Sequence, residues 1–242
     1  MHDLLNEMIL FEESTRQTET PEFRAWFGDS KVVDSNGDPL VVYHGTPTPT
    51  FEEFEIEAES NEGEGNWQQG PGFYFTDDSD NASNYAQMHQ KKTGAVYPVY
   101  LKIEKPLPID FERGWRTGTD RDLTRSQVTK IIKMAPDIKD PDGPLSNWGD
   151  VKYEGYNKVF QEAVDAYSDQ NSFMTLHNDF YDGHTQEYLK AINKVLGYDG
   201  VVSKVKATGA THWVAWFPSQ VKSAIGNKGT FNSESDNIVE SN

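Results

Sequence analysis

Residues 41–48 read VVYHGTPT. Val41, Val42 and Tyr43 have the β-branched and aromatic character of a short buried strand. His44, Gly45 and Thr46 follow where that strand should end. A histidine at a strand end is most often a core or rim residue. One followed by glycine can also be a clamp, because glycine lets a ligand approach the backbone beside the imidazole. These residues alone leave both readings open.

Working outward, KVVDSNGDPLVVYHG reads as a hairpin, with Val32 and Val33 on one arm, Leu40 to Tyr43 on the other and residues 35–38 as the turn. Upstream, Pro21 opens a short helix carrying Phe23, Trp26 and Phe27, and Gly28 ends it. Still earlier, Leu4, Leu5, Met8, Ile9 and Leu10 have the spacing of an amphipathic helix, joined by a polar linker. Downstream, residues 58–72 form an acidic, glycine-rich loop, long enough to be mobile or functional. FYF is a strand, and Asp80 is placed to cap a helix through Ala82, Tyr85, Ala86 and His89. AVYPVYLKI is a strand that Pro98 places near a sheet edge. Helices are predicted over 119–134, 153–167 and 184–196, and strands in YDGVVSK, HWVAWF and PSQVKSA. From Asn227 the tail is polar and predicted to be loose. Strands at both ends with helices between predict an α+β chain. Residues 1–20 are leader and linker, 21–227 the domain with a helical insertion over about 112–196, and 228–242 a flexible tail.

The chain has 242 residues, enough for one large domain with insertions, and 12% aromatic content, which argues against disorder. No apolar run approaches the roughly 18 residues needed to span a membrane. The first thirteen residues are acidic and lack the basic start of a secretory signal. With no cysteine, disulfides and thiolate metal sites are excluded. A formal net charge of −17 is repelled by phosphate backbones, so a basic protein partner is favoured over nucleic acid.

Several patterns carry no chemistry. DPDGP at 140–144 lacks the spacing and closing glutamate of an EF-hand and reads as a turn. His177 and His184 do not match a helical zinc pair and read as surface histidines, so no metal is expected. The glycines between Gly63 and Gly72 lie in no strand-turn-helix unit, so they make no dinucleotide fingerprint.

Three segments are harder to set aside together: YHGT at 43–46, GPGFYFTDDSDNASNYA at 70–86 and THWVAWFPSQVKSAIGN at 211–227. In them the sequence resembles ADP-ribosyltransferases of the His-Tyr-Glu type, and more closely the transferase domain of phage polyvalent proteins. The resemblance covers about 20–227 and is weak over 112–191. It implies a split antiparallel β-sandwich with flanking helices, and NAD as co-substrate. By that resemblance His44 holds the adenosine ribose, and Gly45 clamps the nicotinamide carboxamide through its backbone. Tyr74 lines the nicotinamide pocket, Ser83 bonds the carboxamide, and Tyr85 stacks on the ring. Thr46, Gly72 and Gln220 complete the implied NAD-contacting set. The residue types suit the chemistry. Expelling neutral nicotinamide leaves an oxocarbenium-like ribose, which calls for an aromatic sandwich and fixed backbone donors and acceptors.

The third triad residue departs from the pattern. Eight positions before Gln220, where glutamate is usual, stands His212, flanked by Thr211 and Trp213. A neutral imidazole can accept a hydrogen bond and act as general base near neutral pH. Glu104 or the acidic stretch over 52–64 could supply a carboxylate from elsewhere. Leu5-Asn6-Glu7 and Leu10-Phe11-Glu12 resemble the leaders of internal proteins of large tailed phages, cut after such glutamates. The expectation is a phage mono-ADP-ribosyltransferase in the virion interior or host cytoplasm, with catalytic His44, Tyr74 and His212 and a host protein acceptor. The competing expectation is an internal virion or interaction protein that keeps the fold and NAD binding without turnover. A phosphotransferase of the RNA-repair type would need basic residues for a 2′-phosphate, and the three segments are poor in arginine.

Overall fold

Val42–Thr46 forms β1, with Val42, His44 and Thr46 buried on one side of the strand although two of them are polar. It lies within a computed structural model that describes residues 17–47, 51–55, 69–87, 94–110, 122–168, 173–227 and 229–239. The helix expected over 3–13 with its Leu-x-Glu tripeptides, and most of the acidic glycine-rich loop, lie outside the described residues. The chain divides into two compact units. The first draws on the ranges 1–55, 72–106 and 204–242, and the second on 56–71 and 107–203.

The first unit is built on an antiparallel sheet. Its other strands are β2 (Phe73–Thr76), β3 (Ala95–Leu101), β6 (Thr211–Ala215) and β7 (Val221–Ser223), in spatial order β6-β2-β1-β3-β7. β3 lies next to β7, the last strand in that order, and so near the sheet edge, where Pro98 places it. The proline is accommodated because the β3–β7 ladder covers only Val99 to Leu101, so Pro98 stands one residue outside it. Helix α1 (Pro21–Phe27) starts at the predicted place. The Thr20 hydroxyl accepts from Phe23 N, proline opens the first turn, and Gly28 closes it at φ 55°. Its apolar side packs Phe23, Trp26 and Phe27 against Tyr100 and Phe231. The predicted hairpin before β1 reduces to a tight loop with a single bridge, Val33 to Pro39. In it the Asp34 carboxylate accepts from Asn36 N and Asp38 N.

The tail departs from expectation. Residues 229–239 are docked rather than loose, with Phe231 and Ile238 buried. Phe231 stands edge-on to Phe23 at 5.0 Å and tilted to Trp26 at 5.7 Å. A polar sequence conceals this because only two of its residues carry the apolar anchors.

The second unit is helical around α3 (Arg125–Lys133), α5 (Tyr156–Tyr167), α6 (Phe173–Phe180) and α7 (Thr185–Leu196), with the single-turn α4 (Val151–Glu154) before α5. (Helix α2, Ser79–Gln87, belongs to the first unit.) Two strands, β4 (Pro106–Asp110) and β5 (Gly200–Lys204), neighbour each other at its ends. α3 begins later than predicted, where Thr124 and Gln127 form a capping box. His177 is not on the surface as expected. It is 4% exposed, with Nε2 3.0 Å from Thr185 Oγ1. DPDGP is the expected turn, closed by Gly143 N donating to Asp140 O. The insertion predicted over 112–196 falls within this unit.

Phe231→Ala should destabilise the protein by about 3–5 kcal/mol, the range for emptying a buried phenylalanine site. Thermal unfolding checks this, and a change within about 0.5 kcal/mol would mark the tail as loose after all.

Candidate active site

The site begins where two strands part. β1 pairs with β3 over five residues, from Val42↔Val99 to Thr46↔Ala95. β2 pairs with β6 over four, from Phe73↔Ala215 to Thr76↔His212. Between β1 and β2 the register has one pair, Tyr43↔Thr76. Continuing it would set His44 opposite Phe75 and Gly45 opposite Tyr74. Those pairings are absent among the described residues, so the sheet opens there.

The His44 ring bridges the opening. Its Nδ1 lies 2.8 Å from the carbonyl oxygen of Tyr74. A carbonyl only accepts, so Nδ1 carries the hydrogen and the neutral ring holds its lone pair on Nε2. The ring is 5% exposed and stands edge-on to Phe54 at 5.0 Å and tilted to Phe75 at 5.5 Å. Phe51 stands edge-on at 6.1 Å.

Gly45 is required by a close approach. A Cβ there would lie 1.8 Å from the Ala82 carbonyl oxygen, which belongs to helix α2 (Ser79–Gln87). Only glycine lets β1 pass under the helix backbone. The α2 cap is Asp78 rather than Asp80: its Oδ1 accepts from Asp80 N and Asn81 N. Gly72, at φ +137°, is likewise constrained, since a Cβ would stand 2.5 Å from Ala215 O. Thr46 is buried at the end of β1.

Strand alternation sorts the side chains. Tyr43, Gly45, Tyr74 and His212 share one face of the sheet, the face that α2 covers at Gly45. His44, Phe73 and Phe75 lie on the other. Tyr74 and His212 are therefore brought together on one side, and His44 meets Tyr74 through the main chain. Tyr74 is half-buried, and Tyr85 on α2 is 47% exposed. Ser83 and Tyr85, two positions apart, point about 200° from each other around a helix of 3.6 residues per turn. They do not converge on one ligand group. The Ser83 hydroxyl instead donates to Ser79 O at 2.9 Å.

Gln220 has a structural task. Its Oε1 accepts from Trp216 N at 2.9 Å and Phe217 N at 2.8 Å, and its Nε2 donates to Lys102 O at 2.8 Å. It ties the turn between β6 and β7 to the end of β3, which is why it is 6% exposed and not in the opening. Glu104 is also elsewhere, against Gly28 and 3.9 Å from Lys102 Nζ.

Carboxylates do stand near His212, from a place the one-dimensional reading missed. Asp77 Oδ1 accepts from Thr211 N at 2.8 Å, and Asp77 N donates to Thr211 O at 3.2 Å. This reciprocal pair extends the β2–β6 ladder by one step. His212 is 6% exposed, and burial pushes its pKa below the ordinary 6.5, with the negative charges of Asp77 and Asp78 opposing that fall. The only signal for this was the run of aspartates directly after FYFT.

A family model described as ADP-ribosyltransferase in polyvalent proteins matches residues 34–231. The chain belongs to this family. Comparison with curated proteins and with solved structures finds no match. The family makes the chain an ADP-ribosyltransferase domain of α+β architecture, and its chemistry ADP-ribosyl transfer. Among the described residues, no helix is long and apolar enough to cross a membrane.

His212 should titrate with a midpoint below 6.5 by NMR. Its native pKa lies below the unfolded one, so the unfolded chain binds more protons and stability falls as pH drops below 6.5. His177, also lowered by burial, contributes in the same direction. His212→Gln should flatten part of this slope in urea unfolding between pH 5 and pH 7, and an unaltered slope would contradict the assignment.

Proposed function

We propose that this domain is a phage mono-ADP-ribosyltransferase that takes ADP-ribose from NAD and attaches it to a host macromolecule, releasing nicotinamide. The observation that carries the reading is the parting of β1 from β2 beyond Tyr43↔Thr76, bridged by His44 and bordered by Gly45 and Tyr74. NAD would thread this opening. The adenosine ribose would donate a hydroxyl to His44 Nε2, and nicotinamide would lie on the Tyr74 face with Tyr85 of α2 as its second aromatic wall.

In the reaction the bond between ribose C1′ and the pyridine nitrogen breaks, and its electron pair leaves with neutral nicotinamide. A nucleophile of the acceptor forms the new bond to C1′ and gives up its proton. His212 on the same face as Tyr74, neutral at pH 7, can take that proton or hold a ribose hydroxyl. An imidazole that is uncharged while the bond to nicotinamide breaks does not oppose the developing positive charge on the ribose. Single transfer follows from the lack of a glutamate at this position to activate a ribose hydroxyl for elongation. The net charge of −17 favours a basic host protein as acceptor over DNA, and the virion interior or the host cytoplasm as the setting.

One observation favours a second reading, an internal virion or interaction protein that binds NAD without turnover. The position usual for glutamate holds a buried histidine. Incubation with labelled NAD and host lysate separates the two. Transfer that is lost in His44→Ala supports the enzyme. Binding of NAD with neither label transfer nor nicotinamide release supports the binder. Tyr85→Ala, which removes an exposed ring with no core role, should raise the KM for NAD about tenfold while leaving the melting temperature unchanged. An unchanged KM would remove Tyr85 from the site.

A further inference from the structure

Lys222 in β7 is 0% exposed. Its Nζ donates to the backbone carbonyls of Ser235 and Asn237, each at 2.9 Å. Charge-assisted bonds of this kind are strong, and removing the donor would leave two carbonyls with a bond fewer in a buried place. The docked tail continues the tie. Ser223 N donates to Ile238 O at 2.9 Å, and Ile238 N donates to Glu52 O at 2.8 Å. Asn237 bridges Glu53 in antiparallel fashion and its Nδ2 donates to Glu52 Oε2 at 3.2 Å. Ile238, 1% exposed, anchors this junction.

The segment so held is the one that walls His44. Glu52 and Glu53 lie between Phe51 and Phe54, whose rings flank the imidazole at 6.1 and 5.0 Å. Phe51 also packs on Tyr97 at 4.5 Å, and Phe54 on Phe73 at 5.0 Å. With Nδ1 held by the Tyr74 carbonyl, Phe51 and Phe54 join Phe75 in packing around the rest of the ring.

We propose that Lys222, Asn237 and Ile238 are positioning residues for His44, acting through residues 51–55. The docked tail fixes the backbone of that segment, the segment fixes Phe51 and Phe54, and the two rings set the orientation of His44 and the access to its Nε2. Loosening the tail then weakens NAD binding although no tail residue touches NAD. The NAD part of this inference rests on the reading of His44 given above, whereas the mechanical part does not.

The test uses the full-length chain with Lys222→Met, Ile238→Ala and the milder Asn237→Ala, which leaves both anchors in place and keeps a folded variant available. Expected are faster hydrogen exchange over residues 51–55, a shifted His44 ring resonance, and a KM for NAD raised about tenfold with kcat within about twofold. A general loss of stability would not by itself move the His44 resonance of the folded species or split KM from kcat. Folded variants whose segment 51–55 exchanges faster while the His44 resonance and the KM stay unchanged overturn the proposal. So do variants in which exchange at 51–55 is unaltered. If neither parent nor variants bind NAD, the functional reading fails, and the exchange and resonance measurements still decide whether the tail positions His44.

Discussion

The approach of β1 to helix α2 is the constraint on which the first unit depends. With Ala82 O standing 1.8 Å from where a Cβ of residue 45 would be, strand and helix touch backbone to backbone. No side chain separates them, so neither element can shift without the other. This contact sets the height of α2 over the sheet, and hence where Tyr85 stands relative to Tyr74. It also holds β1 to the β3 side, where five pairs form, and leaves β2 to follow β6. The opening between β1 and β2 is therefore the result of two ladders pulling apart from one shared pair.

Electrostatics at the opening come from burial more than from charge. His212 loses solvent and so resists protonation, and the two aspartates at the end of β2 restore only part of what burial removes. A glutamate in the same place would have carried a negative charge into the site. The histidine brings a lone pair without that charge, which changes what can be asked of it. On the proposed reading it would accept a proton from an incoming nucleophile, but it would offer the ribosyl cation less stabilisation than a carboxylate.

Much of this was legible in the sequence because local chemistry and tertiary structure agree. Pro21, the apolar side of α1 and Gly28 each mark the helix by its own rule, and YHGT, GFYFT and PSQVKS mark the strands. What was not legible depends on partners distant in the chain. Gln220 looked like a ligand contact until its amide was seen to bind Trp216, Phe217 and Lys102 main chain. The resemblance assigns Ser83 to the carboxamide, but its hydroxyl donates to Ser79 O within the helix. The burial of Lys222 is not legible because a lysine in a strand is ordinarily at the surface, and its partners at residues 235 and 237 lie in the tail.

The pairing of β2 with β6 also bears on how the protein comes into being. Asp77 and Thr211, joined at that ladder's end, are separated by 134 positions. Closing so long a stretch is entropically unfavourable and places this ladder among the slow, non-local steps of folding. On the ribosome, β1, β2 and β3 emerge early with one side of β2 unsatisfied, and the strand bearing His212 comes only after the whole helical unit. The face that carries Tyr74 and His212 therefore has no complete form until β6 has been made. Transfer through that face, as proposed, would have to wait until nearly all of the described chain has been made.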